Sequence, residues 1–575
     1  MPAAVCYKSF MFCFRQNEEE ESVMAETDKK KSGGVLVQAG ILAVASMLVR
    51  IIGLLYRGPL TAIIGDEGNG YYGTAYNIYT IILMVSSYSV PSAISKLMAQ
   101  KLAVGEYKNA QKIFRCALVY GMIVGVAASA LLFFGADVLV PHVAAGVLRV
   151  FAPTVFLFGL LGALRGYFQA SGSMVQTSVS QILEQLANAV VSIGAAWVLM
   201  HYFASPDPTS QAQHGAMGSA LGTGAGVAIA LIFVFVCYLR HRKADLAKVA
   251  SDTTGKEDSF GAAMKETILV ITPFMLSGFI LNLTTSLNQT IYYKLIISVR
   301  GLGDVEATTL YGIFSNKAVV ISNIPISIAT AVASAIIPGI SAAYAKRDLA
   351  ATRVRAGNAI RATAVIAIPS ACGLAFLARP ITMILFPQME SLDMAAELLA
   401  LLAVTVIFYS IATITNAVLQ SIGKMNMPLV SAGIALAIQT AVLAVLLLGT
   451  DLGIYALALV SVIYSLLIFA VNNAFLKKYL GYVPDVKNVF LKPLAFSLVM
   501  GAAALAIYEV FARAFAFVGR AYFVNLFASI IALVCAVVIY FFLMLRSGTL
   551  TEHAVLSVPK GAKIAKVLRK LHWIR

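Results

Sequence analysis

The chain has 575 residues, of which 60% are hydrophobic and 12% are charged, and its formal net charge is +16. A soluble domain of ordinary composition carries roughly 25% charged residues, so this chain lacks the polar surface needed to coat a water-exposed protein of its size. The composition therefore excludes a soluble globular protein. It predicts an all-α polytopic membrane protein.

Apolar stretches recur along the whole chain, each long enough for a helix of roughly 20 residues to cross a hydrocarbon core of about 30 Å. We predict about fourteen transmembrane helices in chain order. In the sixth predicted span, Gly218, Gly222 and Gly226 stand at four-residue spacing. This spacing predicts that the sixth helix packs closely against a neighbouring helix. The predicted spans are 35–56, 74–95, 116–140, 147–169, 177–203, 215–240, 267–292, 311–338, 357–383, 394–416, 427–450, 453–475, 490–512 and 520–545.

Lysine and arginine are concentrated in alternate loops. The segments Lys96–Arg115, Arg240–Lys265 and Lys346–Arg361 are rich in both residues, whereas Ser205–Gln213 contains neither. Because basic loops remain on the cytoplasmic side, this pattern predicts that both termini are cytoplasmic in a bacterial inner membrane. The positive net charge then reflects topology and anionic lipid, and no nucleic-acid partner is expected.

The two ends of the chain lie outside the predicted spans. Residues 1–34 are expected to be a cytoplasmic leader and residues 547–575 a basic cytoplasmic tail. The run Glu18–Glu21 stands just before Met24, and glutamate codons are purine-rich like a ribosome-binding site. We therefore expect translation to start at Met24, which the mass of the intact natural protein would test.

No motif in the sequence points to an enzyme or to a bound cofactor. The six cysteines form no CxxC pair and no Cys/His cluster with metal-ligand spacing. The sequence also has no GxxxxGK[ST] nucleotide-binding loop. The predicted external loops are short and contain neither paired carboxylates nor a nucleophile beside a base. We therefore expect a non-enzymatic protein with no metal or cofactor.

An internal repeat divides the chain. Tyr72-Gly73 recurs as Tyr311-Gly312, each pair opening a span that leads into a basic loop. Further along, Gln169, Gly172 and Met174 recur as Gln420, Gly423 and Met425. The repeat predicts two six-helix lobes in the same orientation, residues 35–265 and 266–480, followed by two unrepeated helices within 481–546. Parallel repeats of this kind usually hold a substrate site at their interface.

Basic residues at membrane depth give this interface a predicted charge. Arg50 and Arg57 are seven residues apart, on one helix face and about 10 Å apart along the axis. An arginine in the bilayer costs at least about 2.5 kcal/mol, so it normally faces a cavity or a partner. Arg57 could alternatively extend to the membrane surface, being close to the outer boundary of its span. Lys317, early in the eighth span, is the third predicted cation of the cavity.

Polar side chains in the second and seventh spans complete the candidate site. They form stripes at helical spacing, and each residue could instead simply bond one helix to another. Taken together they predict a wet, cationic cavity between the lobes. The predicted substrate-binding residues are Arg50, Arg57, Tyr76, Asn282, Ser286, Asn288, Gln289 and Lys317.

Glu184 is an acidic residue inside the fifth predicted span. It is expected either to pair with Arg165 or to serve in ion coupling. The pairing is the interpretation we favour, because a buried carboxylate needs a compensating charge.

Four sequence runs resemble a known family, the stage V sporulation protein B group. This group belongs to the polysaccharide-transport branch of the multidrug/oligosaccharidyl-lipid/polysaccharide (MOP) exporter superfamily, which also contains the MurJ-type lipid II flippases. The resemblance covers about residues 33–545. The runs are LVRIIGLLYRGPLTAIIGDEGNGYYGTAYNIY from Leu48, VPSAISKLMAQKLAVGEY from Val90, GYFQASGSMVQTSVSQILEQ from Gly166 and LQSIGKMNMPL from Leu419.

The resemblance implies a MATE/MurJ-like V of two six-helix lobes around a central cavity, with two further helices that help to form a lipid-accessible groove. It implies a flippase that moves a lipid-linked glycan precursor by alternating access, for peptidoglycan, spore cortex or polysaccharide synthesis. The family's cavity arginines correspond to Arg50 and Arg57, whereas Asn288 stands where many relatives have aspartate. The implied partners are a polyprenyl-linked anionic glycan and membrane lipids, and the functional unit is a monomer.

Two other functions remain open at this stage. A multidrug or cation antiporter of the same superfamily predicts an acidic cavity, because organic cations need carboxylates. A membrane glycan-assembly enzyme requires catalytic groups in a sizeable external loop. The sequence does not choose between lipid II and other lipid-linked glycans.

Overall fold

The computed structural model describes residues 45, 48–88, 90–252, 254–255, 257–515 and 519–549, except for some side chains within helices. The predicted leader, the Met24 start, much of the first predicted span and nearly all of the basic tail lie outside these residues.

The described chain is helical almost throughout, which confirms the predicted all-α class. Residues 48–55 are helical and precede the first long helix. Short π-helical segments lie at Met84–Tyr88, Ile313–Ala318 and Lys487–Leu491. The α-helices are α1 (Arg57–Leu83), α2 (Val90–Ala103), α3 (Tyr107–Phe134), α4 (Ala136–Leu139), α5 (His142–Ala170), α6 (Val175–Tyr202), α7 (Pro208–Ala250), α8 (Phe260–Ser298), α9 (Asp304–Gly312), α10 (Val319–Ala345), α11 (Leu349–Phe376), α12 (Ala378–Leu385), α13 (Leu392–Ser421), α14 (Met427–Gly449), α15 (Tyr455–Leu480), α16 (Lys492–Ala514) and α17 (Ala521–Arg546).

Among the described residues, 12 helical stretches are long and apolar enough to cross a membrane. They correspond to all the predicted spans except the first and the seventh. The first lies largely outside the described residues, and the seventh corresponds to α8, several of whose side chains are not described. A multi-pass membrane protein is thus confirmed, while the number fourteen stays a prediction.

The path of α1 differs from the predicted one, in which the second span began at residue 74. The chain is already helical at Arg57, and a single non-helical residue, Gly65, divides α1 into two limbs. Gly65 has a φ of 70°, a left-handed conformation that glycine adopts without the steric cost of a side chain. The second limb therefore starts at Asp66, which places polar residues that the prediction assigned to a loop on a packed helix.

Small residues bring α6 and α7 into close contact in the N-terminal lobe. A Cβ atom added to Gly218 would lie 2.4 Å from the backbone nitrogen of Ala196, and one added to Gly222 would lie 2.4 Å from that of Ser192. Gly226 faces the carbonyl oxygen of Glu184 in the same way. The predicted packing role of this glycine series is confirmed.

Helix α8 connects the two lobes. Its first half packs on the N-terminal lobe, where Ile271 joins the apolar core of α2, α3, α5 and α7. Its last turns pack on the C-terminal lobe, where Tyr292 and Tyr293 join a core with α13 and α15. Helices α16 and α17 pack against each other and against α11, with Phe376 covering Gly501.

The segment before α8 is held on the first turns of α3. Lys112 bonds Glu257 at 2.7 Å, and the backbone N–H of Lys108 donates to Asp252 at 2.9 Å. This hydrogen bond, with others from Thr254, lowers the pKa of Asp252 from 3.8 to about 2. The start of α8 is thus anchored to the N-terminal lobe by polar contacts.

Candidate functional site: the interface between the two lobes

Of the two predicted cavity arginines, Arg57 is half-buried at the start of α1 and Arg50 is exposed on the preceding helical residues. Arg57 lies close enough to the hydroxyl groups of Tyr72 and Tyr76 to interact with them electrostatically. Within the described part of the chain, neither arginine forms an ion pair. The N-terminal lobe therefore presents guanidinium groups whose charge the described residues do not neutralise.

An aromatic surface adjoins Arg57. The rings of Tyr72 and Tyr76 stack with centroids 5.6 Å apart, and Tyr79 stacks on Phe151 at 4.7 Å. Tyr72 and Tyr79 are buried, whereas Tyr76 is half-buried. Tyr76, a predicted site residue, is thus partly exposed and packed against neighbouring rings.

The predicted pairing of Glu184 with Arg165 is confirmed. Arg165 donates to the Glu184 carboxylate at 2.8 Å and to the Ser180 hydroxyl at 2.9 Å. The side chain of Arg165 is 6% exposed and that of Glu184 is 25% exposed. A buried pair with an extra hydrogen bond avoids the high cost of an isolated buried charge, so this pair holds α5 and α6 together.

The polar stripe on α8 is divided among different surroundings. Gln289 is buried between the lobes, accepting from Asn77 at 2.9 Å and donating to the carbonyl oxygen of Thr74 at 3.1 Å. Ser286 is buried and makes no hydrogen bond to the described residues. The side chain of Asn282 lies outside the described set. Gln289 therefore joins the two lobes in this conformation.

Asn288 faces into the C-terminal lobe, where it accepts a hydrogen bond from Gln439 of α14 at 2.9 Å. Nearby, Thr284 donates to Tyr464 at 3.1 Å. A cavity of about 190 Å³ lies beside Thr284 and Thr285. The face of α8 that packs on the C-terminal lobe is thus polar and borders a cavity within that lobe. The predicted wet cavity between the lobes stays a prediction.

Lys317 is also placed between the lobes. It lies in the π-helical segment after α9, is 1% exposed, and forms an ion pair with Asp66 of α1. It also donates to the Ser391 hydroxyl at 2.7 Å, and its ammonium group lies 5.9 Å from the ring centre of Phe386. In this conformation Lys317 is sequestered by protein groups. Its substrate-binding role stays a prediction, and so do those of the other seven predicted residues.

The repeated Tyr-Gly pair lies at the point where the lobes meet. Gly70 and Gly312 are in close contact, since a Cβ atom added to Gly312 would lie 2.4 Å from the Gly70 Cα atom. Likewise, a Cβ atom on Gly73 would lie 2.2 Å from the Asn316 side chain. Only residues without side chains allow the two backbones to approach this closely.

The repeat extends to an asparagine that sequence reasoning missed, giving Tyr-Gly-x-x-x-Asn at residues 72–77 and 311–316. Asn77 donates across the interface to Tyr311 at 3.0 Å. Asn316 donates in the opposite direction to the carbonyl oxygen of Asn69 at 2.7 Å. The shared sequence signal could have identified both residues. Asp66 and Asn69, by contrast, carry no repeat signal.

These observations define a class: a polytopic helical membrane protein with two repeated lobes and a polar, charged interface between them, the architecture of a transporter. The family model for polysaccharide biosynthesis proteins matches residues 35–344, and the MatE model matches residues 282–446. The first match covers more than half of the chain. The chain belongs to the polysaccharide biosynthesis protein family, within the MOP superfamily.

Curated relatives from Bacillus subtilis (strain 168) agree with this assignment. The chain is 25% identical to the uncharacterized membrane protein YabM, over 92% of this chain and 96% of that protein. It is 24% identical to stage V sporulation protein B, over 78% and 85% of the two chains. It is 22% identical to lipid II flippase MurJ, over 69% and 75%.

Solved structures share the fold. Lipid II flippase MurJ in an inward closed conformation superposes with a TM-score of 0.64 and 14% identity, over 88% of this chain and 98% of that chain. An inward-facing multidrug resistance MATE family transporter gives a TM-score of 0.59 and 16% identity, over 76% and 98%. The predicted MATE/MurJ-like architecture is confirmed, and the relatives with assigned activities are transporters rather than enzymes.

Proposed function

We propose that this chain is a flippase that moves a polyprenyl-pyrophosphate-linked glycan across the cytoplasmic membrane. The observation that carries the proposal is the pair of arginines on the N-terminal lobe, Arg50 and Arg57, which form no ion pair with described residues. A guanidinium group at membrane depth is costly unless it faces water or an anion. An anionic substrate head group satisfies that requirement, whereas a cationic drug does not.

The chemistry of the surrounding residues fits such a head group. Arginine pairs with phosphate oxygens through parallel, charge-assisted hydrogen bonds, so Arg57 binds the pyrophosphate. The partly exposed ring of Tyr76 provides an apolar surface for a sugar ring. Polar groups on α8, including Ser286, bond sugar or peptide groups. The polyprenyl tail remains in the lipid, because burying it in a polar cavity would cost hydrophobic free energy.

Movement follows from the two-lobe construction. The contacts around Gly70 and Gly312 close one end of the interface, which is the external end in the orientation predicted from the basic loops. Rocking of the lobes separates these contacts and exposes the cavity to that side. A substrate shifts this equilibrium only through a difference in its affinity for the two states. The names of the relatives MurJ and stage V sporulation protein B support a role in cell-wall or spore glycan export.

Reconstitution into liposomes tests the proposal. Fluorescent lipid II and a second polyprenyl-pyrophosphate glycan are each incorporated, and their transfer is measured by the loss of fluorescence to a membrane-impermeant quencher. Transfer of either lipid is expected for the natural chain. Loss of transfer is expected for Arg57→Ala, with partial recovery for Arg57→Lys, which keeps the charge but not the planar geometry.

Arg513→Ala is the matched control, because its side chain is 84% exposed on the last turn of α16. It should transfer lipid at the natural rate. Failure of the natural chain to move either lipid, or full activity of Arg57→Ala, would refute the proposal. Proton-driven export of a cationic dye by the same liposomes would favour the antiporter alternative.

A further inference from the structure

We infer that Asp66 and Lys317, together with Ser391, form a latch that holds the two lobes together at the end closed in this structure. The inference rests on the proposed alternating-access function and concerns how the closed state is maintained. Asp66 belongs to α1 of the N-terminal lobe, whereas Lys317 and Ser391 belong to the C-terminal lobe. Separation of the lobes at this end must therefore break the ion pair.

The latch is withdrawn from solvent. The Lys317 side chain is 1% exposed and that of Asp66 is 15% exposed. Breaking a buried ion pair by removing one partner is far more destabilising than breaking an exposed one, because the remaining charge is left uncompensated. On opening, Lys317 keeps Ser391 and Phe386, which lie in its own lobe, but it loses its carboxylate. The closed state therefore depends on a matched pair of charges.

The ion pair is an addition to an otherwise repeated interface. Asn77 and Asn316 occupy equivalent repeat positions, and each donates a hydrogen bond to the other lobe. The same alignment of the repeats places Ile78 opposite Lys317, and Val305 opposite Asp66. Both equivalents are apolar, so the charged contact exists only once. The neutral hydrogen bonds set the register of the lobes, and the ion pair adds a bias toward closure.

Neighbouring contacts make the closed end sensitive to this bias. Gly58 of α1 is packed against the carbonyl oxygen of Leu385, the residue before Phe386, and an added Cβ atom would lie 2.2 Å from that oxygen. Asn69, three residues beyond Asp66, is buried and accepts from Asn316. These groups lie too close together to slide past one another, so they separate when the pair separates.

Spin labels on the two lobes test the latch in nanodiscs without any substrate. The labels are attached at Ser205 and Glu390, in a background whose six native cysteines are replaced. Both positions are exposed, Ser205 in the loop before α7 and Glu390 next to Ser391. Double electron–electron resonance measures the distance between them. For Asp66→Asn, the ratio of open to closed populations is expected to rise at least about tenfold.

The double variant Asp66→Asn/Lys317→Met removes both charges and leaves no unpaired charge. It should recover a closed population greater than that of Asp66→Asn, because the penalty comes from the orphaned lysine. Asp393→Asn is the matched control, since it breaks the Arg379–Asp393 pair at the same end but within one lobe. It should leave the distance distribution unchanged.

An unchanged distribution in Asp66→Asn would overturn the latch, and so would an equal shift in Asp393→Asn. If Asp66→Asn does not fold, Lys317→Met alone must give the wider distribution, and a natural distribution there would also overturn the inference. Because these measurements contain no lipid substrate, they stand apart from the flipping assay. A chain that opens as expected but moves no glycan lipid would refute the proposed function and leave the latch intact.

Discussion

Replacing Gly70 by alanine should push the two lobes apart. A Cβ atom at this position would lie 2.3 Å from the carbonyl oxygen of Thr308, below the 3.0 Å that real Cβ contacts respect. The helices must therefore separate by roughly the difference, or distort. Overpacking of this kind costs about 1–3 kcal/mol, which corresponds to a shift of about 5- to 150-fold away from the closed state. The gain in helix propensity from alanine applies to both states and cancels.

The assay is again the distance between spin labels at Ser205 and Glu390. Gly194→Ala is the matched control, because Gly194 is also inside a helix of the N-terminal lobe but nothing lies within 4 Å of its added Cβ atom. We expect a longer distance for Gly70→Ala and the natural distance for Gly194→Ala. A natural distance distribution for Gly70→Ala would show that the contact with Thr308 does not hold the lobes in place.

Three further predictions concern other parts of the molecule. Glu184→Ala should lower the stability to thermal unfolding in detergent, by about 3 kcal/mol, since it leaves Arg165 buried without its carboxylate; Glu184→Gln should lose less, and equal losses would contradict the argument. The carboxyl carbon of Asp252, followed by NMR, should titrate with a midpoint near pH 2, below the ordinary 3.8. Because this pKa is lowered on folding, the contact with Lys108 stabilises the folded chain fully above about pH 4 and is lost as the pH falls toward 2; a midpoint at or above 3.8 would refute it. Arg50→Ala should reduce glycan-lipid transfer without changing the distance between the lobes, and full transfer would remove Arg50 from the proposed site.

Several features were readable from the sequence because they depend on local composition and period. Hydrophobic length predicted the membrane helices, and the Tyr-Gly repeat predicted two lobes. Gly218 and its neighbours predicted close helix packing. Burial of a carboxylate predicted the pairing of Glu184 with Arg165. The membrane helices and the close helix packing depend on residues that are near one another in the sequence. The Glu184–Arg165 pair follows from one requirement, that a charge inside the membrane needs an opposite charge.

The locations of Gln289 and Lys317 could not be read in this way. Both were predicted to face a cavity, and in this structure both are buried between the lobes, against Asn77 and Asp66 respectively. Their partners lie more than 200 positions away in the sequence. Helical spacing tells which residues share a face, but it does not tell what that face meets.

The sequence by itself determined the class of the protein, its repeated halves and the basic character of its membrane-embedded residues, because these follow from composition and periodicity. Only the tertiary structure decided which cations are neutralised and which are not. The helix α1 is divided at Gly65, which has a positive φ, and Asp66, the first residue after this break, pairs with Lys317 of the other lobe. Arg57 has no such partner among the described residues, and the carboxylate of Glu184 in the same lobe is bonded to Arg165.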